Sequence, residues 1–229
     1  MPETIYLLAP VFAYCQVLAA FSVIVDGGAP KLKLIFKSVA SASFIVGGAL
    51  FMRYSTSEYS KYIMLSLVFG AAGDVLLALH VFFADKKKKL VLNAAGGLAF
   101  AAGHAIYMLM FFASARFNAA FLPLPAIFAL VPLLAKKRIV SAFGKKAVLP
   151  LCAYSLILGL LIAAAASLLS SAPTAKNAVM LAAAVVFAVS DFLLVSRMLG
   201  VGKEKAMFHA AMITYYTAQW AFALSIALL

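Results

Sequence analysis

Leu67 to Leu79 reads LVFGAAGDVLLAL and sets an aspartate, Asp74, inside an apolar run that extends from about Tyr62 to Phe83. A charge at that depth is expensive, so an ionisable group within a membrane span points to function. The arrangement recurs at Val185 to Leu194, VVFAVSDFLL, where Asp191 is equally deep. The chain has only seven acidic residues, and two of them stand where lipid is expected. The expectation is that Asp74 and Asp191 face each other across a buried cavity and do acid–base chemistry there. The competing reading is a pair of structural aspartates, each bonded to a Ser or Tyr.

Working outward, 66% of the 229 residues are hydrophobic and 11% are charged. That composition excludes a soluble domain and predicts an all-α, polytopic membrane bundle. The runs do not alternate as barrel strands would. Eight spans are expected, at approximately 4–25, 34–52, 62–84, 91–113, 117–135, 147–170, 177–199 and 208–229, within a single transmembrane domain over residues 1–229. The start, MPETIYLLAP, lacks the basic region of a cleaved signal. Cys15 and Cys152 lie in apolar runs and read as reduced core residues. No C-x-x-C, H-E-x-x-H or Walker motif occurs, so neither a metal nor a cofactor is expected. The net charge of +12 belongs to membrane loops, not to a nucleic-acid surface.

The basic residues sort by loop. Lys31, Lys33, Lys37, Lys86, Lys87, Lys88, Lys89, Lys136, Lys137, Arg138, Lys145, Lys146, Arg197, Lys203 and Lys205 follow the odd-numbered spans. Arg53, Lys61, Arg116 and Lys176 follow the even ones. This positive-inside asymmetry puts both termini on the non-cytoplasmic side, in the inner membrane if the source is bacterial. Span five carries Pro123, Pro125 and Pro132 and is expected to be kinked or partly unwound.

Helical spacing groups the other polar residues. Gly70, Ala71, Asp74 and Ala78 form a small-residue face on span three, and Ala184, Phe187, Asp191 and Leu194 share a face on span seven. On span four, His104 and Tyr107 lie on one side, with Gly97 and Phe100. Lining the site is the reading favoured for His104 over catalysis. On span eight, Tyr215, Tyr216 and Gln219 read as a polar site wall, because they lie deeper than interfacial aromatics and a buried Gln needs partners. His80 and His209 fall near the cytoplasmic ends. The two D-x-L-L segments also admit a parallel repeat of four plus four helices.

Phe36-Lys37 in span two, Gly73-Asp74, Gly103-His104-x-x-Tyr107, Ser190-Asp191 and Tyr215-Tyr216-x-x-Gln219, in that order, resemble the YhhN-like lysoplasmalogenase family. The chain differs in Ser38-Val39, where many members have a proline. The resemblance implies hydrolysis of the vinyl ether of a lysophospholipid substrate to a fatty aldehyde and glycerophosphoethanolamine or glycerophosphocholine, with Asp74 and Asp191 as the catalytic pair. The chemistry suits two carboxyls, since carbon is protonated first and water then attacks an oxocarbenium ion. Which Asp is the acid is not legible, nor is the oligomeric state. Lys37 is placed to meet the phosphate, with ordinary snorkelling as the alternative. The other partners expected are membrane lipids. Two further readings compete: a zinc-dependent lipid amidase using His80, His104 and His209, and a small proton-coupled transporter.

Overall fold

A computed structural model describes residues 30–228, together with Pro10, Val11, Tyr14, Cys15 and Val17. The first expected span, 4–25, therefore lies mostly outside the described residues. The described chain is helical: α1 (Pro30–Met52), α2 (Tyr59–Leu79), α3 (Lys86–Ser114), α4 (Pro123–Leu134), α5 (Lys136–Phe143), α6 (Val148–Ser171), α7 (Ala175–Met198) and α8 (Glu204–Ala227). No strand occurs among the described residues.

Side chains and turn residues define the helix ends. Asp85 caps α3 by accepting from Lys87 N at 2.8 Å. Thr174 caps α7 by accepting from Asn177 N at 3.2 Å. After α7, Gly200 takes φ +69°. Val201 N then reaches Ser196 O at 2.9 Å and Gly200 N reaches Arg197 O at 2.9 Å. Those crossed bonds satisfy carbonyls that would otherwise be orphaned, and the left-handed position is one that glycine occupies without strain.

The protein is a polytopic membrane helix bundle. Among the described residues, five helices are long and apolar enough to span a bilayer: α1, α2 with its 3₁₀ extension to Phe82, α3, α6 with the preceding turn from Lys145, and α7. Leu98, Leu109 and Leu149 point outward at 71%, 61% and 78% exposure, which suits lipid. α8 has 24 residues, the length of a span, but is not apolar enough to be counted with the five. The reason is position. Half of its residues are buried, Tyr215, Tyr216 and Gln219 among them, so these polar side chains meet other helices instead of lipid.

The expected single span 117–135 is not one straight helix. Ala119–Phe121 forms a 3₁₀ turn, α4 covers Pro123–Leu134, and α5 leaves it at a 59° bend. Pro132 lies within α4 and cannot donate to the carbonyl one turn back, which weakens the helix shortly before the bend. Residues 136–143, expected as loop, are helical: Ile139 is buried while Lys136, Lys137 and Arg138 are exposed.

Packing closes α1, α2, α3, α6, α7 and α8 into a ring, each touching the next, with α8 returning to α1. α4 sits outside the ring against α6. The contact is close because α6 offers Gly159: a Cβ there would lie 2.6 Å from Pro125 Cα and 3.0 Å from Leu124 O.

Candidate active site

Every helix of the ring contributes a polar side chain to the interior. α1 supplies two of them, Lys37 and Ser41, four residues apart and hence on one face. Both reach Asp74 on α2. Lys37 Nζ stands 2.9 Å from Oδ1, and Ser41 Oγ donates to Oδ2 at 2.6 Å. Each carboxylate oxygen thus has its own partner. Tyr215 and Tyr216 on α8 lie within electrostatic reach of the same carboxylate. Tyr216 also donates to Lys37 O at 3.5 Å. Lys37, expected to meet a phosphate, is instead buried and paired with Asp74. A buried lysine about two turns into the helix needs an anion as partner, and the packing of α1 on α2 brings Asp74 to it.

Asp191 on α7 has different company. Tyr154 on α6 donates to Oδ2 at 2.6 Å. His104 on α3 places Nε2 3.9 Å from the same oxygen. The His104 ring packs edge-on against Phe187 at 4.4 Å and Tyr154 at 5.7 Å. Ser190, the neighbour of Asp191, ties α7 to α8 by donating to Ala211 O at 2.9 Å. The side chain of Asp191 keeps 12% exposure, and that exposure opens outward.

The space it meets is a groove of about 1100 Å³ between α4, α6 and α7. Its walls are apolar, with Phe128, Val131, Leu158, Val185, Val189 and Phe192 among them. Asp191 and Tyr154 stand in the wall, and Lys136, Lys137 and Arg138 line it where α5 begins. Asp74 does not line this groove. The expectation of one cavity with an aspartate on each wall therefore needs correcting: one carboxyl faces the groove and the other is enclosed by α1. Sequence spacing equalised their depth but could not show which neighbour each would meet.

Tyr107 and Gln219, the remaining expected site residues, are buried in the interior. Gln219 Nε2 donates to Tyr215 Oη at 3.0 Å. Gln219, His104 and Tyr107 share a small cavity with Ser66, Gly70 and Phe187. Tyr107 stacks on Phe222 with ring centres 3.9 Å apart. His80 is on a 3₁₀ turn, bonded to Leu77 O, and His209 is on α8. Among the described residues, no three His, Cys, Asp or Glu side chains are grouped as metal ligands.

Sequence reading missed Ser41, Tyr154 and the α5 cations as site residues. Ser41 carried a signal, the four-residue spacing from Lys37. Tyr154 carried a weaker one, a hydroxyl six residues into a long apolar helix. The α5 cations were legible only as loop charges.

A family model described as the YhhN family matches residues 32–226. No curated protein and no solved structure matches the chain.

Proposed function

The chain belongs to the YhhN family, and from that premise and the site we propose that it is a lysoplasmalogenase. It takes a lysoplasmalogen and water and releases a fatty aldehyde and a glycerophospho-head group. The observation that carries this reading is the setting of Asp191: a carboxyl in the wall of an apolar groove that also has cations along it. The groove's volume lies just above the range of small-molecule sites, roughly 300–1,000 Å³. A long alkenyl chain suits the apolar walls, and the phosphate suits Lys136, Lys137 and Arg138.

In the proposed reaction Asp191 gives its proton to the vinyl carbon distal to oxygen. The double bond supplies the electrons for the new C–H bond, and an oxygen lone pair makes the oxocarbenium ion. The carboxylate left behind stands beside that cation. Water adds to the carbon bound to oxygen, and its proton returns to Asp191. The hemiacetal then breaks its C–O bond to the glycerol carbon chain's oxygen. Its hydroxyl proton ends on that oxygen, and aldehyde departs. One water is consumed and the acid is restored. The hydrogen bond from Tyr154 to Oδ2 restricts the rotation of the carboxyl. Asp74, held by Lys37 and Ser41, is the second carboxylate of the proposed pair and acts from behind the groove wall.

The test is aldehyde release from lysoplasmalogen by purified protein, beside ester lysophospholipid and ceramide. Asp191→Asn, folded and monodisperse, is expected to lower kcat at least ~10²-fold, the low end for loss of a general acid. Wild-type turnover of an ester or amide with no aldehyde from the vinyl ether would overturn the reading.

A further inference from the structure

We propose that the small cavity behind Asp191 is a built water site, and that its water lies on a polar path between the Asp74 and Asp191 groups. The cavity measures about 10 Å³ and lies between α2, α3, α7 and α8. That is the room one water needs, provided two to four polar partners surround it. Three are present. His104, Tyr107 and Gln219 all line the cavity, each is at most 2% exposed, and each has a buried polar atom with no hydrogen-bond partner in the protein. These atoms are Tyr107 Oη, Gln219 Oε1 and an imidazole nitrogen, the ring also lying beside the Phe100 carbonyl. Buried polar groups are rarely left unpaired. Three side chains with this property around one cavity of this size are accounted for together by a single water. Tyr107 donates to it, it donates to Gln219 Oε1, and it exchanges a bond with the imidazole.

The path extends both ways from the cavity. Gln219 turns its other amide atom to Tyr215 Oη at 3.0 Å, and Tyr215 lies in the field of Asp74. On the far side His104 Nε2 stands 3.9 Å from Asp191 Oδ2. Asp74 thereby becomes a positioning residue. It biases the polar groups that lead toward Asp191 without touching the substrate. The close approach needed at Gly70 fits this role, because a Cβ there would fall 2.1 Å from Gln219 Nε2. The role in turnover rests on the hydrolysis proposed above, whereas the water site stands on the cavity alone.

Tyr107→Phe separates the outcomes, since it removes only the hydroxyl and keeps the ring stacked on Phe222. With a water present the variant loses a hydrogen bond, so Tm is expected to fall, and kcat for aldehyde release to fall about tenfold at unchanged KM. The double variant Tyr107→Phe/Asp191→Asn should be no slower than Asp191→Asn. An unchanged or raised Tm overturns the water site, because deleting an unsatisfied buried hydroxyl is neutral or favourable. A lowered Tm at wild-type kcat overturns the path. A high-resolution experimental structure should show a density peak within hydrogen-bond distance of Tyr107 Oη and Gln219 Oε1, and a site without that peak overturns the water directly. If wild type releases no aldehyde from lysoplasmalogen, the proposed activity fails, while Tm and density still decide the water.

Discussion

Lys37 Nζ and Asp74 Oδ1 are 2.9 Å apart, and their side chains are only 5% and 2% exposed. The pair joins α1 to α2 inside the ring, one turn from the Ser41 bond that completes it. Burying two charges is repaid only when geometry and hydrogen bonding are both good. Here each carboxylate oxygen is used.

Removing one partner should therefore be costly. Lys37→Ala leaves a buried carboxylate without its cation, and a loss of about 3–5 kcal/mol is expected. Thermal unfolding in detergent measures it, and Lys37→Ala/Asp74→Asn should recover part of the loss. A Lys37→Ala protein as stable as wild type but with a raised KM would return Lys37 to the phosphate.

Tyr154→Phe tests the partner of Asp191. The variant keeps the ring that packs on His104 and removes the 2.6 Å hydrogen bond. A carboxyl free to rotate is less often aimed at the substrate, so kcat should fall about tenfold with KM nearly unchanged. Steady-state rates of aldehyde release decide it; equal kcat values would show that Tyr154 does not orient the acid.

The cations lining the groove should act on binding alone. Replacing Lys136, Lys137 and Arg138 together by Gln is expected to raise KM about tenfold and leave kcat in place. The effect should shrink as salt rises, because exposed charges are screened. A triple variant with wild-type KM at low salt would place the head group elsewhere.

Gly159→Ala tests how the groove is built. The new Cβ would meet backbone atoms of α4 at 2.6 and 3.0 Å, so α4 has to move off α6. A loss of about 1–3 kcal/mol is expected, as for overpacking elsewhere. Unfolding midpoints and KM should shift together, and a variant that changes neither would show that α4 is loosely held.

Charge predicts orientation. Cysteines placed in the 85–90 segment should label from the cytoplasmic side alone, which puts the termini on the other side. Labelling from outside would reverse the assignment.

The sequence by itself determined the class of protein, most of its helices and the residues of its interior. Long apolar runs can cross a bilayer only as helices when they do not alternate. Polar atoms within such runs have to find one another, which is why Asp74, His104, Tyr107, Asp191, Tyr215 and Gln219 stood out before any contact was known. The tertiary structure decided who meets whom. That Lys37 turns from the interface to Asp74 depends on α1 packing against α2. That Tyr154 reaches Asp191 depends on α6 lying beside α7. That the 136–143 cations face a groove depends on the 59° bend at the end of α4. Helical periodicity places a side chain on a face, but the rotation of each helix against its neighbours comes from packing between segments far apart in the chain. The division of the two aspartates between an enclosed ion pair and an open groove is a property of that packing alone.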